Sequence, residues 1–252
     1  MDPLYLAVPL FFCISFLFSM LGMGGAQLYV PLLFWLGMDF KTQAVPLGML
    51  LNVVNSGSAS VTYIRRKLVS WRVGLPFAAS MVVFAPLGVW IDRGLPAKPL
   101  LVFFALFTAS AGVLVLTGWR PERPLSPGGR LALGFSAGSL LGIAAGMIGR
   151  GGGSFVVPLL YLSGLDPRRA AATSALVVTF AGTSSFLSHL ATAARPDWGV
   201  WGGCVLAVFL GSRLGSRVMA DHLRPKGVKR VFGWVLLGVA ALILAKDVLH
   251  WI

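Results

Sequence analysis

Apolar residues run almost unbroken along this chain, and polar residues fall in short clusters that cut the run into segments. Eight segments have the length of a bilayer-spanning helix, which takes about 20 residues: 4–21, 41–64, 71–91, 99–117, 131–148, 168–190, 198–219 and 227–249. Two more, 26–37 and 154–163, are only about half as long. At about 1.5 Å per residue they cover part of a membrane. The runs are continuous and do not alternate every second residue, so the pattern predicts helices and excludes a barrel.

Each half-length segment follows a glycine cluster. Residues 19–31 read Ser-Met-Leu-Gly-Met-Gly-Gly-Ala-Gln-Leu-Tyr-Val-Pro, and residues 146–158 read Gly-Met-Ile-Gly-Arg-Gly-Gly-Gly-Ser-Phe-Val-Val-Pro. A constant offset of 127 lays Gly22 on Gly149, Gly24 on Gly151, Gly25 on Gly152 and Pro31 on Pro158. The same offset pairs Gly37 with Gly164, Asp39 with Asp166, Trp71 with Trp198 and Gly88 with Gly215, without a gap. The chain therefore reads as two copies of one unit, residues 1–117 and 131–252. The Pro- and Gly-rich stretch 118–130 is the expected linker.

Loop charge predicts how the copies are oriented. Loop 65–72 holds Arg65, Arg66, Lys67 and Arg72, while in its counterpart, 190–197, Arg195 and Asp197 cancel. The next pair reverses: 92–98 is net +1 and 213–230 is net +5. By the positive-inside rule, equivalent loops lie on opposite sides, so the expected architecture is an all-α polytopic membrane protein of two inverted repeats. Each repeat has four long transmembrane segments and opens with a Gly-broken helical hairpin. Segments 4–37 and 131–163 then each enter and leave on one side, and both termini are extracytoplasmic. Full crossing of each piece with strong tilt gives the same topology.

Composition agrees. The chain is 57% hydrophobic and 12% charged, against about 25% charged in soluble domains, and its mean hydropathy is +0.84. The net charge of +13 is accounted for by loop placement; no basic run sits on a soluble fold, so no nucleic-acid partner is expected. Cys13 and Cys204 lie inside apolar runs as packing residues. The three histidines stand far apart at segment ends. No metal, cofactor or catalytic constellation is expected, and the chain does not read as an enzyme.

The glycine breaks are the candidate chemistry. The N-terminus of a half-helix exposes unpaired N–H groups and a partial positive charge, which inside a bilayer need protein or a bound anion as partner. The candidate binding residues are Gly22, Gly24, Gly25 and Gln27 in the first copy, and Gly149, Arg150, Gly151, Gly152, Gly153 and Ser154 in the second. Arg150 is the sole charge between Arg130 and Asp166, and an arginine at membrane depth usually faces a cavity or a partner. Asn52 and Asn55 on 41–64, and Thr173 and Ser174 on 168–190, form the expected second wall. Close helix packing by the glycines and interhelical bonding by the polar residues are the competing readings. Asp39 and Asp166 read as helix caps, the latter with Pro167 at the first helical position.

Gly-x-x-Gly-x-Gly-Gly-Gly at 146–153, Pro158, Gly164-Leu-Asp-Pro167, Ala171-Ala-Thr-Ser174 and Trp198 resemble the sulfite exporter TauE/SafE family. The first copy departs from that pattern, with Ala26 for the third glycine and Pro46-Leu47 for Thr-Ser. The resemblance implies a bacterial inner-membrane permease that moves small sulfur-containing anions, such as sulfite or organosulfonates, usually outward. The expected partners are the lipid bilayer and a small anionic substrate, and a homo-oligomer is compatible with the pattern. A carrier or channel for another small ligand or a metal ion, and a non-transporting scaffold, are the alternative readings.

Overall fold

Backbone groups in a bilayer must bond within the protein, and the chain meets this by folding almost wholly into helices. The computed structural model describes residues 3–91, isolated positions between 102 and 117, and residues 126–148, 153–190, 198–222, 225–242 and 244–245. The helices are α1 (Pro3–Leu21), α2 (Ala26–Trp35), α3 (Val45–Arg65), α4 (Trp71–Ile91), α5 (Pro127–Ile148), α6 (Gly153–Leu162), α7 (Pro167–Leu190), α8 (Trp198–Asp221) and α9 (Pro225–Leu242). A π-helical turn, Phe40–Ala44, leads into α3. Among the described residues, five helices are long and apolar enough to cross a membrane: those ending at Arg65, Ile91, Gly146, Leu190 and Asp221. The expected span 99–117 falls largely outside the described residues. Large apolar side chains point outward from these helices, Val83 and Leu140 among them, with Trp71 and Trp198 at helix starts. Tryptophan there suits the membrane–water boundary. The protein is an all-α, polytopic membrane protein.

The helices sort into two groups. In one, α1, α2 and α8 pack on α3; in the other, α4, α5 and α6 pack with α7. Each group thus takes one long helix from the other sequence copy: α8 joins α1, and α4 joins α5. The groups meet along the α3–α7 seam. These contacts are symmetric under the offset of 127, since α1–α8 answers α5–α4 and α3–α8 answers α7–α4.

Side-chain bonds give the directions. Ser212 Oγ donates to Asn55 O (2.6 Å) and Ser216 Oγ to Thr62 Oγ1 (3.1 Å), and Arg66 pairs with Asp221 (2.8 Å). So α3 and α8 run in parallel to a shared end. Helix α7 starts at that end, where Thr173 Oγ1 accepts the N–H of Ser70 (3.0 Å), and runs back so that Gly182 lies beside Asn52. The carbonyls of Phe12 and Phe16 face Gly211 and Gly215, which sets α1 parallel to α8; Gly142 and Gly146 face Met81 and Ala85, which sets α5 parallel to α4. Helix α2 turns back along α3, with Ala26 against Asn52 and Val30 against Gly48. The α1–α2 pair therefore returns toward the end at which it began.

Glycine and proline explain much of this packing. A Cβ on Gly215 would run into the Phe16 carbonyl and Ser19 Oγ, and one on Gly146 into the Ala85 carbonyl. Small residues let backbones touch, and in lipid such packing drives association. Pro86 inside α4 has no N–H for the carbonyl of Val82. Ser184 Oγ from α7 supplies that bond at 2.9 Å. Helix α5 begins four residues earlier than expected, because Ser126 Oγ accepts the N–H of Gly129 (3.1 Å) and Pro127 takes the first helical position. The end of the expected linker is thus the first turn of a helix.

Gly215→Val is expected to destabilise the protein by about 1–3 kcal/mol through overpacking, seen as a lower unfolding midpoint in detergent. Gly202, with nothing within 4 Å of an added Cβ, is the control: Gly202→Ala leaves the midpoint unchanged or raises it. Equal behaviour of the two variants would rule out the close α1–α8 approach.

Candidate functional site

The first break is built from left-handed backbone. Gly22, Gly24 and Gly25 have φ of 69°, 82° and 107°, which side chains other than glycine rarely adopt. Space is excluded as well: a Cβ on Gly22 would enter the Ala171 carbonyl, and one on Gly24 would meet Asn52 Oδ1. Helix α1 ends in a Schellman pattern, with Met23 N–H on Phe18 O (3.2 Å) and Gly22 N–H on Ser19 O (3.2 Å). Ser19 O also accepts the hydroxyl of Tyr63 at 2.6 Å.

Beyond that turn, the exposed backbone is taken up by α3 and α7. Ser174 Oγ donates to Gly22 O (2.8 Å), Gly25 N–H to Met23 O (3.1 Å), and Asn55 Nδ2 to Gly24 O. Asn52 Oδ1 accepts the N–H of Ala26 at the start of α2 (3.2 Å). Asn55 is itself fixed, because its Oδ1 accepts from Ser15 Oγ (3.0 Å) and its backbone carbonyl from Ser212 Oγ. Ser15 Oγ also approaches Val208 O at 2.5 Å. Asn52, Asn55, Ser15, Ser174 and Ser212 are all buried.

Asn52 is only half satisfied. Its Nδ2 is buried without a hydrogen-bond partner and lies beside Gly182 of α7. The carbonyls of Gly22, Met23 and Gly24 all have donors, so the unmet capacity at this point is that of a donor.

The start of α6 reaches the first break. Gly153, the first residue of α6, is buried so tightly against Met23 that a Cβ would enter the Met23 carbonyl. The structure thus brings together Gly22, Gly24, Gly25, Asn52, Asn55, Ser174 and Gly153, with Gln27 buried in the first turn of α2. Thr173 does not join them: its hydroxyl is turned to the Ser70 N–H at the α3–α4 turn. Gly149, Arg150, Gly151 and Gly152 lie outside the described residues, as does the side chain of Ser154. Sequence reasoning passed over Ser15, Gly182 and Ser212. Their one signal is a small residue in an apolar run, and that signal does not distinguish them from packing residues.

The aspartates are caps. Asp39 Oδ1 accepts the Thr42 N–H (2.9 Å) and hydroxyl (2.7 Å), and Gln43 Oε1 accepts the Asp39 N–H (3.1 Å). Ala44 N–H reaches Asp39 O, five positions back, at 2.8 Å, which is why the turn is π-helical. Asp166 Oδ1 accepts the N–H groups of Arg168 (3.1 Å) and Arg169 (3.2 Å).

Asn55→Ala is expected to cost about 1–3 kcal/mol, the penalty for stranding the buried Gly24 carbonyl. Asn52→Ala costs less, because it removes an unpaired donor together with the acceptor for Ala26. Unfolding midpoints in detergent give the order, and an equal or reversed one contradicts the assignment of the two amides.

The chain is similar to known membrane proteins. The sulfite exporter TauE/SafE family matches residues 7–243. A probable membrane transporter protein of Xylella fastidiosa strain Temecula1 is 28% identical, covering 93% of this chain and 92% of its own. Another, YunE of Bacillus subtilis, is 23% identical over 79% of this chain and 82% of its own. A third, from Methanocaldococcus jannaschii, is 21% identical over 71% and 69%. No solved structure matches the chain. Family members are transporters and not enzymes, and groups of three or more metal-ligating side chains are absent among the described residues. With the match spanning almost its whole length, the chain belongs to the sulfite exporter TauE/SafE family, as a multi-pass membrane transporter of small molecules or anions.

Proposed function

We propose that the protein exports small sulfur-containing anions, sulfite or organosulfonates, across a bacterial inner membrane by alternating access around a site between two broken helices, one from each of two inverted repeats. The substrate is held where the two glycine breaks meet. The observation that carries this reading is the contact of Gly153 with the Met23 carbonyl beside the unpaired amide of Asn52. Broken helices that meet in the interior are how many carriers build a site from backbone. The family's name supports the sulfur oxyanion. The charge class has its own support: the carbonyls of the first break are hydrogen-bonded, while a donor is left over. A cation site would need the reverse.

Arg150 supplies the positive charge in this reading, at the position where the first copy has Met23. In the first copy the N–H groups of Gly25 and Ala26 are held by Met23 O and Asn52 Oδ1, so the backbone donors of this reading are the N–H groups of 151–154. Inversion is supported by the opposite directions of α1 and α5, of α3 and α7, and of α4 and α8. The Arg66–Asp221 pair joins the ends of two basic stretches, 65–72 and 213–230, consistent with a cytoplasmic end there and extracytoplasmic termini.

The helix groups also refine the motion. Because α4 and α8 are exchanged, the sequence copies are not the rocking bodies. The bodies are α1–α3 with α8, and α4–α7, sliding along the α3–α7 seam and joined at 66–70 and 191–197.

The first test is thermal stability of the purified protein against sulfite, sulfate, thiosulfate, sulfoacetate, taurine, acetate, chloride and divalent metals. A ligand that binds only the folded state raises the midpoint, by about 2.7 kcal/mol at 100 times its Kd. The expected outcome is a shift with a sulfur oxyanion that Arg150→Ala abolishes while the variant stays folded. A shift only with a metal overturns the anion reading. The motion has a separate test in a background of Cys13→Ala and Cys204→Ala. Ser60 Oγ and Thr179 Oγ1 lie 3.2 Å apart across the seam, while Ser216 and Thr62 lie 3.1 Å apart within one body. A Ser60→Cys/Thr179→Cys disulfide stops transport until reduced; Thr62→Cys/Ser216→Cys leaves it running. Transport through the cross-linked seam contradicts the rocking bodies.

A further inference from the structure

Two polar groups at the seam are buried with nothing to bond: Asn52 Nδ2 and Ser185 Oγ. Asn52 is fully buried and Ser185 is 2% exposed. Leaving a donor unpaired in such a place costs stability, so each needs an explanation.

Their positions are related. One face of α7 carries Ser174, Val178, Gly182 and Ser185, at helical steps of four, four and three. Ser174 bonds Gly22 O, Val178 lies against Gly24, and Gly182 lies against the Asn52 amide. Ser185 is the next turn of that face, roughly 4.5 Å along the axis from Gly182. Gly182 lets the amide come close to the α7 backbone, since a Cβ there would sit 2.8 Å from Asn52 Nδ2.

Ser185 also differs from the hydroxyls around it. Thr179, Thr183 and Ser188 each donate to the carbonyl four residues back, and Ser184 donates to Val82 O. That local bond is the usual resting place of a helical hydroxyl. Ser185 lacks it while being more deeply buried than Ser184.

We infer that Ser185 is a ligand-binding residue, and that Asn52 Nδ2 and Ser185 Oγ form an uncharged donor clamp for a singly charged oxyanion. The inference rests on the anion-transport reading above and narrows its substrate. Asn52, Asn55, Ser174, Val178, Gly182 and Ser185 carry no full charge. Neutral donors replace part of an anion's hydration, but the Born cost of burial rises with the square of the charge. A sulfonate or hydrogensulfite monoanion suits such a clamp; sulfate does not.

The test uses the full chain in detergent, with sodium methanesulfonate and sodium sulfate at matched ionic strength, read by titration calorimetry and by unfolding midpoint. Wild type is expected to bind methanesulfonate more tightly than sulfate. Ser185→Ala keeps or raises its unliganded midpoint, because no hydrogen bond is lost, and binds methanesulfonate roughly tenfold more weakly. Ser185→Cys, of similar shape with a weaker donor, falls between. Wild-type affinity in a folded Ser185→Ala protein overturns the clamp and leaves the transport reading standing, and so does a clear drop in its unliganded midpoint, which makes the hydroxyl structural. Sulfate bound as tightly as methanesulfonate overturns the charge class. If wild type responds to neither salt nor to sulfite, the anion reading falls and the clamp with it.

Discussion

A helix broken inside a bilayer has nowhere to send its freed backbone groups except to other protein or to a ligand. That constraint organises the interior of this molecule. The break at 22–25 frees carbonyls of Gly22, Met23 and Gly24 and the N–H of Ala26, and α3 and α7 take up most of them through Asn55, Ser174 and Asn52. Two long apolar helices therefore carry buried amides and hydroxyls on their inward faces. The polar residues do not decorate a packed core; they close the hydrogen-bond accounts of the break. What is left over includes an amide donor on Asn52, a hydroxyl on Ser185 and the Tyr29 hydroxyl beside Gly25, and the first two mark the wall of the proposed site.

The second constraint is contact between helix backbones. Hydrophobic burial does little to hold helices together in lipid, so close approach has to do it. On one side of the molecule glycines of α8 admit the carbonyls of α1; on the other, glycines of α5 admit the backbone of α4. Ser15 and Ser19 stand at the offset-equivalents of Gly142 and Gly146, so small residues recur at matching positions while the tightest contact moves between helices. The packing interleaves the two copies. A motion that separates α3 from α7 must therefore carry α8 with the first three helices and α4 with the others.

Much of this was legible in the sequence. The first break, the half-length pieces, the α4 segment at 71–91, and the caps at Asp39 and Asp166 follow from glycine, proline and aspartate, whose effects are local. The early start of α5 was missed because Pro127 and Gly128 read equally as loop and as first turn, and only the Ser126 cap decides. Thr173 stands apart from the break for a different reason. Its neighbour Ser174 does reach the break, and one residue along a helix turns a side chain by about 100°, here toward Ser70. The exchange of α4 and α8 was not legible at all: periodicity shows which face is buried, not what covers it. Gly182 and Ser185 matter through what stands opposite them, and one sequence holds no record of that.

The two copies are not equal at the breaks, and the inequality is physical. The first break is braced by the amides of Asn52 and Asn55. The offset of 127 puts Thr179 and Gly182 at those positions in the second copy. Thr179 donates to Ala175 O within its own helix, and Gly182 has no side chain, so these two positions of α7 offer no amides like those of α3. The second break instead carries an arginine where the first has Met23, whose side chain is buried. A group bound between the breaks would meet neutral donors on one wall and a full charge on the other. In the proposed site the repeat sets two broken helices face to face. The substitutions at four pairs of equivalent positions, 23 and 150, 52 and 179, 55 and 182, 26 and 153, give the space between them a direction.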